Sequence, residues 1–159
     1  MEASVYLDST IPSLYYDDRP GSAYRQAKTR EWWDTQRHGL ECYTSYFTER
    51  EVQKDSYPNQ ELVVSMVQEV SFVEYVPQDI DEIVEVYIKN FVMPNDSQGD
   101  AAHLAMASYH GVDYLLIWNC THPANAFKFK HVDKVNLRLG PDTPLIVTPE
   151  QLFPEENNA

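Results

Sequence analysis

Ser4-Val5-Tyr6-Leu7 is a short apolar run closed by Asp8-Ser9-Thr10. It predicts a strand and then a loop, with Ile11-Pro12 stopping any regular continuation. Residues 22–38 contain no proline or internal glycine and run into Gly39, which predicts a helix with a glycine C-cap, anchored to a core by Trp32-Trp33. Residues 42–44 read as a second strand, followed by a helix through Phe47, Glu51 and Lys54 and by another over 59–69. A third strand is expected at 72–76, broken by Pro77. Between 79 and 91, Ile80, Ile83, Val84, Tyr87, Ile88 and Phe91 recur at the spacing of one helix face. Ala101, Leu104, Ala105 and Ala107 predict a helix over 100–110 ending at Gly111. Residues 114–118 (YLLIW) form a continuous apolar run of the kind buried on both faces of a parallel sheet. A further helix is expected over about 124–139, ending at Gly140, then a last strand at 145–147 and a turn from Thr148. Strands alternating with helices in this order predict an α/β sandwich with a mainly parallel sheet. The 159 residues suit one domain over 1–153, with 154–159 as a flexible tail.

Composition narrows the class. With 43% hydrophobic and 13% aromatic residues, the chain can offset its ordering entropy by apolar burial, so neither disorder nor a disulfide-stapled miniprotein fits. Cys42 and Cys120 are far apart, and the acidic opening Met1-Glu2-Ala3 does not read as a signal peptide. A reducing, cytoplasmic setting is expected. No apolar run reaches the length of a membrane span. The net charge of −13 argues against a general nucleic-acid coat protein. That charge is uneven, however. Residues 55–127 hold eleven acids against the single base Lys89, so a local basic groove elsewhere remains open.

Ligands in open parallel sheets gather beyond the carboxyl ends of the strands. Asp8 follows the first strand, Asn119 follows the longest apolar run, and Asp100 opens the helix leading into that run. Taken singly, Asp100 reads equally well as a helix cap and Asp8 as a turn former. Carboxylates brought to about 4 Å repel by roughly 4 kcal/mol at an effective dielectric of 20, so together they call for a cation. Oxygen ligands with retained water are what Mg2+ or Mn2+ prefers, and such an ion can polarise a phosphodiester and generate hydroxide.

Four segments, in this order, resemble PIN-domain proteins: Val5-Tyr6-Leu7-Asp8-Ser9-Thr10, Thr29-Arg30-Glu31-Trp32-Trp33-Asp34, Gly99-Asp100-Ala101-Ala102-His103-Leu104-Ala105 and Leu115-Leu116-Ile117-Trp118-Asn119-Cys120. Among these the chain looks most like the virulence-associated protein C (VapC) toxins of type II toxin–antitoxin pairs. The resemblance implies a PIN-like three-layer α/β/α sandwich with a mainly parallel central sheet. It also implies an Mg2+- or Mn2+-dependent endoribonuclease, a hydrolase with RNA as substrate, a cognate antitoxin as partner and a homodimer. Carried over by position, the catalytic and metal-holding acids are Asp8, Glu51 and Asp100. Glu51 is chosen over Glu49 because the family places its Glu six residues after a Ser at the strand end, here Ser45. The fourth acidic position of many PIN domains is Asn119 here, which can ligate through its carbonyl oxygen but carries no charge and cannot act as a base. This departure favours one-metal hydrolysis. It also keeps a second reading open, a catalytically weakened PIN-fold module that binds RNA or protein.

Thr10 and Ser9 are auxiliary candidates for a phosphate or a bound water, or else loop-capping hydroxyls. His103, one helical turn after Asp100, reads as a packing or supporting histidine rather than a catalytic one. His122 is taken as an exposed loop residue, and Asp113 is expected at the opposite edge of the sheet. Lys130, Lys134 and Arg138 repeat every four residues, with Lys128 nearby; the stripe is either an RNA-guiding surface or a solvated face. Arg25, Lys28 and Arg30 carry the same ambiguity. Tyr15-Tyr16 could stack on bases, although eleven tyrosines favour packing.

Overall fold

A computed structural model of the chain describes residues 2–54, 56–90, 98–118 and 126–153, with the side chains of 98 and 126–129 excepted. Alternation along the first strand, β1 (Ser4–Leu7), sets the layers, because successive side chains on a strand face opposite ways. Val5 and Leu7 pack with Ile11, Leu14, Trp32 and Met66 on one face, whereas Tyr6 packs with Ile80, Tyr87, Leu104 and Val135 on the other. The remaining strands are β2 (Glu41–Thr44), β3 (Ser71–Phe72), β4 (Tyr114–Leu116) and β5 (Leu145–Val147). All pair in parallel in the order β3-β2-β1-β4-β5. One face is covered by α1 (Thr10–Tyr15), α2 (Ala23–Gln36) and α4 (Gln60–Gln68), and the other by α5 (Pro77–Lys89), α6 (Gln98–Tyr109) and α7 (Ala126–Leu139). The helix α3 (Tyr46–Lys54) follows β2 directly and buries Val52 against Val63 and Val67 of α4. The expected three-layer α/β/α sandwich is therefore the observed one, and its sheet is wholly parallel among the described strands.

Local chemistry accounts for most of the boundaries. Pro77 stands at the first position of α5, where its missing N–H has no intrahelical partner to lose. The α6 helix ends in a Schellman closure at Gly111, whose φ of 66° is left-handed. Val112 N–H donates to Ala107 O at 3.1 Å and Gly111 N–H to Ser108 O at 3.1 Å. The α7 helix ends at Gly140, with φ 105°. A buried polar knot joins the helices of this layer: Tyr87 Oη donates to Asn136 Oδ1 (2.5 Å) and lies 3.1 Å from Ser108 Oγ, whose hydroxyl can donate to it.

Three expectations are corrected. The segment after Asp8 is not a loop but the helix α1, and Pro12 is tolerated because it lies within the first turn, where N–H groups have no intrahelical partner. The helix over 22–38 does not end on a left-handed glycine; it tightens into a 3-10 turn, Arg37–Gly39, with the Arg37 guanidinium 4.0 Å from the Trp33 ring centroid. The third strand is only Ser71–Phe72 rather than 72–76. The tail at 154–159 lies outside the described residues. Among the described residues, no helix is long and apolar enough to cross a membrane.

The turn between α1 and α2 is held by Asp17, whose side chain is 5% exposed and accepts from Arg19 Nε (2.9 Å), Arg19 Nη2 (2.7 Å) and Ser22 Oγ (2.9 Å). Arg19, with Ser22, holds the carboxyl well below the usual range. A depressed folded pKa stabilises the protein above the unfolded value, and that contribution is lost as pH falls through the folded one. Asp17→Ala is expected to lower stability by about 2 kcal/mol in urea denaturation at pH 7, with the gap to wild type closing once the medium is acid enough to protonate Asp17.

Candidate active site at the carboxyl edge of the sheet

The order in which successive strands are added reverses between β1 and β4, and in open α/β sheets the crevice at such a switch, beyond the strands' carboxyl ends, is where ligands bind. Asp8 is the residue that follows β1 at this point, and it is 2% exposed. Thr10 fixes its orientation: backbone N–H (2.9 Å) and Oγ1 (2.5 Å) both donate to Asp8 Oδ1. The same hydroxyl accepts the Trp118 backbone N–H at 2.9 Å, which ties the exit of β4 to the exit of β1. Thr10 therefore helps to shape the edge.

Glu51 comes to the same place from α3. Its Oε2 accepts from Ser9 Oγ at 3.3 Å, and its Oε1 meets His103 Nε2 in a short contact. His103, on α6, is 1% exposed, and its other nitrogen, Nδ1, lies 2.7 Å from Tyr6 Oη, itself 2.6 Å from Ser45 Oγ. The result is a continuous polar chain, Ser45–Tyr6–His103–Glu51, threaded through the apolar layer between the sheet and α6. Tyr6 can reach it because the alternation of β1 turns its ring toward α6 while Val5 and Leu7 face away.

Electrostatics follow from this packing. Burial raises the Asp8 carboxyl to about 7, against the opposing pull of His103 and the Thr10 bonds, and neighbouring Glu51 adds to the rise. Burial alone would lower His103, but Tyr6, Glu51 and Asp8 outweigh it and hold the imidazole well above its ordinary value. Glu51 shows the reverse balance: burial raises its carboxyl, and the bonds and charge of His103 with the Ser9 bond bring it below the usual range. His103 thus serves as a built-in counter-charge for two neighbouring acids.

Of the residues singled out from the sequence, the structure brings Asp8, Glu51, Ser9, Thr10 and His103 together. Asp100 is half-buried in the first turn of α6, one turn from His103. It adjoins Gly99, where a Cβ would lie 3.6 Å from Glu51 Oε2. Glu49 makes none of the contacts that engage Glu51. Asp113 lies at the opposite edge, as expected, and binds the backbone N–H of Ser4 at 2.9 Å. Asn119, Cys120 and His122 lie outside the described residues, as does the side chain of Lys128. Lys130, Lys134 and Arg138 are exposed on α7. Tyr15 and Tyr16 pack edge to face at 4.8 Å, and Arg30 Nε donates to the Tyr15 carbonyl at 2.8 Å, so this pair belongs to the packing between α1 and α2. Lys28 pairs with Glu31 and Arg30 with Asp18, which leaves the early basic set partly neutralised. Sequence reading placed His103 near an acid but missed its partner Tyr6; the signal was the polar edge of a tyrosine flanked by aliphatics in a buried strand.

The donor set suits a hard divalent cation in kind, because Asp8 and Glu51 are close enough to feel each other's charge and His103 offsets the burial of the Asp8 carboxyl only in part. Among the described residues, no group of three His, Cys, Asp or Glu side chains is disposed to enclose a metal. The arrangement is a two-acid edge backed by His103, not a closed cage.

The chain is similar to a chain in the crystal structure of VapBC2 from Rickettsia felis bound to a DNA fragment from their promoter, with a TM-score of 0.50 and 14% identity over 91% of this chain and 98% of that one. At that identity the likeness is one of fold, and with the all-parallel, doubly covered sheet it shows a PIN-like architecture. No family model and no curated protein matches the chain.

Proposed function

We propose that this chain is a metal-dependent endoribonuclease and the toxin member of a toxin–antitoxin pair. The observation that carries the reading is the meeting of Asp8 and Glu51, 43 positions apart in the chain, at the switch point of a PIN-like sheet. The likeness in fold to a chain of the VapBC2 complex supports the toxin assignment and a VapB-like antitoxin as partner. Asp8, Glu51 and Asp100 would hold Mg2+ or Mn2+, with Asn119 as a neutral fourth position. When bound, such an ion lowers the pKa of its water and polarises the phosphodiester. The chain's own residues supply the rest. Thr10 fixes the rotamer of Asp8, His103 and Ser9 fix Glu51, and the apolar wall around Asp8 keeps its charge dependent on a cation. Purified protein is expected to cut RNA with Mn2+ and to stop on addition of EDTA. If Mn2+ supports no cleavage and Asp8→Asn behaves as wild type, the enzyme reading fails.

One observation favours a second reading, a non-catalytic PIN-fold module that binds RNA or protein. Glu51 Oε1 is already engaged by His103, so one member of the acid pair has a positive partner without any ion. Mn2+ binding followed by calorimetry separates the two: the nuclease binds the ion and loses it in Asp8→Asn, whereas the module binds none.

A further inference from the structure

Tyr46, Phe47, Arg50, Glu51 and Lys54 recur along α3 at intervals of three and four, so they share one face of that helix. Four of them, Phe47, Arg50, Glu51 and Lys54, line a cleft of about 340 Å3 whose far side is Asp81 and Val84 of α5 and Gly99 and Ala102 of α6. Glu51 thus touches the edge that holds Asp8 and also faces open space. Two cations flank it in a chain whose net charge is −13. Among the described residues, neither Arg50 nor Lys54 forms an ion pair with a carboxylate. The lip of the cleft is aromatic. Tyr46, 41% exposed, stacks on Tyr75 with ring centroids 5.7 Å apart and planes 6° from parallel. Phe47 closes on Tyr75 edge to face at 4.8 Å, and Tyr75 Oη is pinned to Asp81 Oδ1 at 2.6 Å. Arg50 joins the platform to the cleft: its guanidinium lies 6.0 Å from the Tyr46 ring centroid, and Nη1 donates to Tyr46 Oη at 3.3 Å.

We infer that this cleft is the entry path for single-stranded RNA, with Arg50 and Lys54 on phosphates and one unpaired base stacked on Tyr46. The inference rests on the nuclease reading for its choice of ligand. Acids that must be approached by a polyanion need cations beside them to offset the repulsion; Arg50 and Lys54 are the bases in this cleft, against Glu51 and an Asp81 that already accepts from Tyr75 Oη. A rigid, exposed, electron-rich ring beside such cations is the feature that sequence-tolerant single-strand binding uses, because every base presents a π-face. Duplex RNA keeps its bases stacked and gains nothing from Tyr46. The α7 stripe of Lys130, Lys134 and Arg138 does not line this cleft.

The test uses fluorescence anisotropy of an eight-nucleotide single-stranded RNA on the full chain in an Asp8→Asn background, so that the probe stays whole. Tyr46→Ala is expected to weaken binding about tenfold and Tyr46→Phe to restore it. Arg50→Gln with Lys54→Gln should flatten the slope of log Kd against log salt by about 1.4, from two lost phosphate contacts, whereas Lys89→Gln leaves it unchanged. Should Tyr46→Ala fail to fold by circular dichroism, the exposed pair of glutamine substitutions decides alone. Unaltered Kd and salt slope in that pair overturn the inference and leave the cleft to a protein segment. Cleavage by the protein with Asp8 intact is measured separately: a chain that cuts RNA while the cleft variants bind normally loses only this inference, and a chain that cuts nothing while they bind poorly loses only the nuclease reading.

Discussion

Asp8→Asn is expected to eliminate RNA cleavage and, at the same time, to make the metal-free protein more stable at neutral and higher pH. The two effects share a cause. Burial makes Asp8 hold its proton up to about pH 7, whereas the unfolded chain releases it near 3.8. A folded pKa above the unfolded one gives a contribution that is complete below the lower value and is lost as pH rises through the higher one. Between those values wild type forfeits on the order of 4 kcal/mol that an uncharged Asn does not. The difference in unfolding free energy, measured in EDTA, should therefore be small near pH 4 and grow toward pH 8. Added Mn2+ should narrow the gap by stabilising wild type alone, by about 2.7 kcal/mol at a hundredfold excess over Kd. Equal stability of the two proteins at pH 8 in EDTA would show that the carboxylate is better compensated than its burial implies.

His103→Leu carries the second large effect, a loss of about 3 kcal/mol in urea denaturation of the metal-free protein. Tyr6 keeps Ser45 as a partner, but Glu51 loses the contact on Oε1 and is left beside Asp8 with no intervening positive charge. Glu51→Gln should cost less, since its side chain is 34% exposed and water takes over part of the solvation. Comparison of the two single variants with the double one isolates the pair. A coupling of about 2 kcal/mol is expected, and additivity within about 0.5 kcal/mol would reduce the contact to packing. The sign of the His103 contribution is also fixed: an imidazole raised in the fold stabilises below its unfolded pKa, and that gain is lost as pH climbs through the folded value.

The sheet was legible because period-two and continuous apolar runs are strong signals, and Leu145–Val147 and Ser4–Leu7 fall where the pattern puts them. The helix after Asp8 was not, because Pro12 reads as a breaker unless the first turn is already known to start at Thr10. Among the candidate site residues, Asp8 could be singled out from its place after a strand, whereas Glu51 required the family resemblance. Nothing local distinguishes it from Glu49 except the helical phase that sends it toward Ser9 and His103. His103 was legible as a neighbour of acids but not as their counter-charge, since that depends on Tyr6 crossing the core from another strand. The Tyr46–Arg50–Lys54 face was present in the i, i+4 spacing all along, but no pattern in the sequence says which helix face borders open space.

The position of β1 carries a consequence for how the chain is made. Of the five described strands, the one made earliest is the middle one of the finished sheet, and Val5 pairs with Tyr114, 109 residues later. At about 5–20 residues per second, Asp8 waits on the order of 5–20 s before its β4 neighbour exists. A half-synthesised chain therefore has an open central strand and no assembled acid edge. Whatever chemistry that edge performs can begin only once β4 has been made.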